Sequence, residues 1–117
     1  MARVNEIRYV GYGVTDIESE KKFYTEAWQL IEVPSDDSMV YLAAPGSSAT
    51  YAVRLRPSAE PRIDVISWSA IDRSEVDALA QQVEQAGGKI ISQPHEMSES
   101  GGGYGFRFFD PVGFTIE

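Results

Sequence analysis

Few side chains in this 117-residue chain could carry chemistry, and their spacing excludes most of it. His95 is the only histidine and stands between Pro94 and Glu96, with no second group nearby in sequence to make an acid–base or metal-ligating pair. A surface loop is its expected place. There is no cysteine, which removes disulfides, thiolate ligands and thiol nucleophiles together. Serines are plentiful, but no Gly-x-Ser-x-Gly elbow presents one as an activated nucleophile. The run Gly101-Gly102-Gly103-Tyr104-Gly105 has the small residues of a phosphate cradle. It lacks Gly-Lys-Ser/Thr and leads into a strand rather than a helix amino terminus, so a flexible rim loop is expected. Glu117 is the carboxylate of most interest. Strand alternation puts Arg54 and Arg107 on its side, and a buried carboxylate paired with one of them is the expectation. No residue is assigned a catalytic role.

The elements that must position these groups repeat. Residues 7–14 are β-rich, with Val10, Tyr12 and Val14 on one face and Tyr9, Gly11 and Gly13 on the other. Thr15-x-x-Glu18 fits a capping box opening a helix to about Leu30, with Phe23, Ala27, Leu30, Tyr24, Trp28 and Ile31 at helical spacing. Pro34 and the Ser35–Ser38 run break that helix. Residues 39–43 and 51–56 read as strands. The second half repeats the order: a strand over 63–70, a helix capped by Asp72 and ended by Gly87-Gly88, a strand over 89–93, a mobile-looking loop from Pro94 to Gly103, and a hairpin of 104–109 and 114–117. Val14/Ala70 and Asp16/Asp72 recur at an offset of 56, which points to duplication within one domain, with repeats at about 5–57 and 62–117. Each half is expected to be βαβββ. Trp28 and Trp68 are expected in the core. The four-residue final strand stops abruptly at Glu117, so a longer parent chain is expected.

The bulk properties bound the partners. A chain of this length buries about two-thirds of its unfolded surface, enough for one domain with its own core. The net charge of −8 and the absence of a Lys/Arg cluster disfavour nucleic acid and anionic membranes. No stretch approaches ~18 apolar residues and no signal peptide opens the chain, so a cytoplasmic location is expected.

Two segments resemble a known family: Val10-x-Tyr12-x-Val14-x-Asp16-Ile17 leading to Phe23-Tyr24, and the closing hairpin from Gly103 through Asp110-Pro111-Val112-Gly113 to Glu117. They are similar to the vicinal oxygen chelate superfamily of glyoxalases, bleomycin-resistance proteins and extradiol dioxygenases, over nearly the whole chain. The resemblance implies an α+β fold in which two βαβββ repeats form a half-open eight-stranded barrel with helices on the outer face. It also implies a metal held by histidine on an opening strand, histidine or glutamate on another, and glutamate on the closing strand. Here those positions carry Tyr9, Val65 and Glu117. One carboxylate does not fix a metal that needs about three protein ligands, so no metal residue and no cofactor are assigned to this segment. The ligand-cavity candidates are Tyr9, Arg54, Ser67, Arg107 and Glu117.

Within the family, a two-repeat module without ligands resembles the amino-terminal module of two-module extradiol dioxygenases. That resemblance implies an oxidoreductase parent opening a catechol-like ring, with Fe(II) in a downstream module and that second module as partner. The alternatives are a metal-free homodimer binding a small aromatic molecule, as bleomycin-resistance proteins do, and a glyoxalase-like enzyme with unusual ligands.

Overall fold

The computed structural model describes residues 1–35, 37–99 and 101–117; Asp36 and Ser100, both read from the sequence as loop residues, lie outside the described residues. The fold is α+β, as expected, with eight strands and two α-helices among the described residues. It divides into two compact units, Arg8–Asp64 and Met1–Ile7 with Val65–Glu117.

The first unit holds β1 (Glu6–Val14, whose first two residues belong to the other unit), α1 (Ile17–Lys22), β2 (Ile31–Val33), β3 (Val40–Ala43) and β4 (Val53–Pro57). Its strand order is β2-β3-β4-β1, antiparallel except that β4 runs parallel to β1. Tyr12 and Val14 face the helix, as their spacing predicts. Val14, Leu42 and Leu55 are buried there against Ile17, Tyr24 and Leu30. Removing such side chains from water is the main favourable term in folding.

The helix itself differs from expectation at both ends. Its cap is Asp16, whose Oδ1 accepts from the Ser19 amide at 3.1 Å, and not Thr15. An aspartate caps at least as well as threonine, and its charge favours the positive helix end. Past Lys22 the helix widens into a π-helical turn, Phe23–Ala27, where the Trp28 amide donates to the Phe23 carbonyl at 3.2 Å. Gln29 then takes a left-handed φ of 63°, which ends the helix. Ile31 therefore starts β2 and is no part of the helical stripe. Trp28 is 68% exposed, not in the core.

The second unit holds β5 (Arg62–Ser69, its first three residues in the first unit), α2 (Arg73–Gln85), β6 (Lys89–Glu96), β7 (Tyr104–Phe109) and β8 (Thr115–Ile116). Its order, β5-β8-β7-β6, repeats that of the first unit, again with the last strand parallel to the first. Asp72 caps α2, accepting from the Glu75 amide at 2.9 Å, so Asp16 and Asp72 perform the same task 56 residues apart. Gly87 at φ 89° and Gly88 close the helix: the Gly88 amide donates to the Val83 carbonyl at 2.8 Å and the Gly87 amide to that of Glu84 at 3.1 Å. This is the paired bonding of a Schellman motif. β6 runs three residues further than expected, because register shifts in its pairing with β7 accommodate Pro94, which has no amide to give the ladder. His95 thus lies on a strand, opposite Gly105, and not in a loop. Its side chain is exposed, with Nδ1 2.8 Å from the Gln93 carbonyl. Trp68 is 39% exposed, again short of the core role expected.

Two of the eight strands are sheet edges: β2 pairs with β3 alone and β6 with β7 alone.

Candidate functional site

In each unit the parallel pairing of first and last strands builds a three-residue row across the sheet. In the second unit, Ile66 pairs with Ile116 and Phe108 with Ile116, so Ser67 and Arg107 flank Glu117. The Glu117 side chain is 3% exposed. Its Oε2 accepts from Ser67 Oγ at 2.8 Å, and its Oε1 accepts from Arg107 Nε at 2.9 Å and lies 2.7 Å from Arg107 Nη2. Arg107 Nη2 also donates to Glu99 Oε1 at 2.9 Å. The carboxylate is held from both sides by charge-assisted bonds, and Arg107 is a partner of the kind the sequence predicts for it.

In the first unit the same register places Gly11 and Tyr41 beside Arg54. Gly11 corresponds to Ser67 by the 56-residue offset, Arg54 to Glu117 by strand register, and Tyr41 to Arg107. The first row therefore reads none–cation–phenol where the second reads hydroxyl–anion–cation. Arg54 is 5% exposed, and its Nε has no hydrogen-bond partner among the described residues. Its guanidinium carbon lies 5.6 Å from the centre of the Tyr9 ring. Tyr9 packs on Tyr51 at 4.9 Å between ring centres, and Tyr51 on Tyr41 at 4.7 Å. The Tyr41 hydroxyl donates to Asp37 Oδ2 at 2.7 Å. Burial, and then that bond, push the Tyr41 phenol well above its ordinary range. Burial alone would raise the Asp37 carboxyl, but bonds from Tyr41, the Met39 amide and Ser35, with the field of Arg54, hold it below its usual value.

Of the residues singled out from sequence, Ser67, Arg107 and Glu117 come together in one unit, and Tyr9 and Arg54 in the other. Tyr41 and Tyr51 were missed. Tyr41 was legible in principle, since it alternates between Val40 and Leu42, but it could be placed beside Arg54 only once the β3–β4 register was known.

The four strand positions related by the repeat carry Tyr9, Val65, Arg54 and Glu117. One is a good donor for a hard or borderline metal, and three protein donors already engage its two oxygens. Among the described residues, no three of histidine, cysteine, aspartate and glutamate come together as a metal site. These residues do not fit a chelated metal of the kind the fold implies.

Residues 6–117 match the model of the Glyoxalase/Bleomycin resistance protein/Dioxygenase superfamily. The chain belongs to that superfamily. The Mn(II)-bound glyoxalase from Novosphingobium aromaticivorans is 48% identical, with a TM-score of 0.95 over 99% of this superfamily member and 38% of the glyoxalase chain. A variant of homoprotocatechuate 2,3-dioxygenase from Brevibacterium fuscum gives a TM-score of 0.86 at 18% identity, over 98% of this chain and 32% of that one. At that identity the likeness is one of fold. No curated protein sequence matches this superfamily member. It spans about two-fifths of the glyoxalase chain and a third of the dioxygenase chain. No helix among its described residues is long and apolar enough to cross a membrane.

Proposed function

We propose that this chain is the metal-free module of a larger vicinal oxygen chelate enzyme, scaffolding and walling a second module that holds the metal. The observation that carries this reading is the state of Glu117. The one ligand-type residue in place is locked to Arg107 and Ser67, and its repeat-related counterpart is a cation, Arg54. A guanidinium at a ligand position repels a divalent ion. The share of the glyoxalase chain covered, 38%, leaves room for such a module. At 48% identity that Mn(II)-bound glyoxalase is the better guide to the parent than the 18%-identical dioxygenase, so a glyoxalase-type parent stands first and catechol-type ring opening second.

The test is metal content. The 117-residue chain, stripped with chelator, re-equilibrated with Mn(II) or Fe(II) and passed over a desalting column, should retain far less than one ion per chain by elemental analysis, while its circular dichroism shows an intact fold. Stoichiometric retention of either metal by the folded chain would sink the proposal.

A further inference from the structure

Three buried tyrosines of the first unit form one continuous stack. Tyr9, Tyr51 and Tyr41 are 2%, 4% and 0% exposed, and successive ring centres lie 4.9 and 4.7 Å apart. Phenylalanine would fill the same space; a phenol in the core needs a polar partner for its hydroxyl. At the Tyr41 end that partner is the carboxylate of an exposed residue, Asp37, whose Oδ2 accepts from the hydroxyl at 2.7 Å. At the other end the guanidinium carbons of Arg8 and Arg54 stand 5.3 and 5.6 Å from the centre of the Tyr9 ring. The stack thus runs from two cations to an anion. In the second repeat Val65 stands where the first has Tyr9, and Arg107 where it has Tyr41, so the feature belongs to the first repeat.

We propose that Tyr41 and Asp37 form a redox-active pair, to which the tyrosine stack delivers the oxidising equivalent of a small one-electron oxidant. In that step the oxidant gains one electron and the stack loses one. A positive hole on the Tyr9 ring is repelled by the two guanidinium charges beside it, whereas on Tyr41 it lies next to a carboxylate that attracts it. Ring contact through Tyr51 lets an electron pass from Tyr41 to Tyr9. As the electron leaves Tyr41 its O–H bond breaks, and the proton moves along the 2.7 Å bond to Asp37 Oδ2. The products are a neutral phenoxyl and a carboxylic acid. A one-electron reductant of the thiolate or ascorbate class then refills the phenoxyl, and the proton returns from Asp37. Burial, and then the Asp37 bond, hold the Tyr41 phenol above its ordinary range, so its proton stays in place until the electron departs. Burial also shields the phenoxyl from coupling with another radical in solution. Tyr104 is the comparison within the chain: its hydroxyl likewise donates to a carboxylate, Asp77, at 2.7 Å, but its half-buried ring lies 4.7 Å from the Arg73 guanidinium carbon.

The experiment is flash oxidation of the 117-residue chain by tris(bipyridine)ruthenium(III), photogenerated with persulfate. The readout is phenoxyl absorption, which is distinct from that of the indolyl radicals of Trp28 and Trp68. The parent should yield a phenoxyl at least tenfold longer-lived than any seen in Tyr41→Phe. Asp37→Asn, which leaves the stack in place and changes an exposed side chain, should lower the yield of that long-lived species at least tenfold while circular dichroism shows an intact fold. Tyr51→Phe should lower it too, by removing the middle of the route, and Tyr104→Phe should leave it unchanged. A long-lived phenoxyl that survives in Tyr41→Phe or at full yield in Asp37→Asn would overturn the proposal. So would its loss in Tyr104→Phe, an undiminished yield in Tyr51→Phe, or the absence of any long-lived phenoxyl in the parent.

Discussion

Arg107 reaches across from β7 to Glu117 with both Nε and Nη2 on one carboxylate oxygen, at 2.9 and 2.7 Å, leaving the other oxygen to Ser67. The carboxylate is 3% exposed and the guanidinium 28%. Truncating one partner of such a pair strands the other in a poorly solvated place. Arg107→Met should therefore cost about 2–4 kcal/mol of unfolding free energy, and the double variant Arg107→Met/Glu117→Gln distinctly less than the sum of the two single changes. Urea denaturation of the four proteins at neutral pH measures this coupling. Additive losses would mean the pair contributes nothing specific.

Asp64 offers a pH-dependent counterpart in the first unit. Its carboxylate is 9% exposed and receives a two-bond grip from Arg56, which holds its pKa below the ordinary carboxylate range despite the opposing effect of burial. A folded value lower than the unfolded one, about 3.9 for aspartate, means the contribution is complete above that unfolded value and is lost as pH falls through the folded one. Asp64→Asn should lower stability at pH 7 by about 1–3 kcal/mol and flatten the acid limb of the stability curve below about pH 4. Thermal melts of both proteins from neutral to strongly acidic pH check the sign. An unchanged acid limb in Asp64→Asn would count against it.

The two halves were legible because the signals that set their elements are local. Asp16 and Asp72 cap, Gly87-Gly88 stops, and Asp110 to Gly113 turns, each by bonds made within a few residues. The π-helical turn was not legible. Phe23 to Ile31 has helical spacing throughout, and nothing local announces that the Trp28 amide reaches back five residues or that Gln29 crosses to positive φ. The site was half legible for the same reason. Alternation put Arg54, Arg107 and Glu117 on one side of their strands, but which residue flanks which is set by register between strands distant in sequence. Trp28 and Trp68 were misread because the size of an apolar side chain says little about whether that surface is covered.

The two glycines after α2 differ in what they tolerate. A Cβ on Gly87 meets nothing within 4 Å, so Gly87→Ala carries mainly the left-handed backbone penalty at φ 89°, about 1 kcal/mol. A Cβ on Gly88 would stand 2.4 Å from Val83 Cγ1 and 2.9 Å from the Val83 carbonyl oxygen. The second of these is backbone and also the acceptor that closes the helix. Gly88→Ala should cost more, about 2–3 kcal/mol, and accelerate amide exchange at the end of α2. Equal losses for the two variants, by chemical denaturation, would show that the close approach at Gly88 relaxes freely.

Trp28 and Trp68 give the exposed apolar surface an optical handle. At 68% and 39% exposure, both indoles should be open to acrylamide, Trp28 the more so. Trp28→Phe should remove the more accessible component of quenching and change stability by less than about 0.5 kcal/mol, since an exposed side chain away from a packed core has little to lose. Trp68→Phe should leave the more accessible component in place. If instead Trp28→Phe destabilises the chain by more than ~1 kcal/mol while its quenching matches that of a buried indole, the turn from Phe23 to Gln29 packs its tryptophan inward and the exposure described for it is wrong.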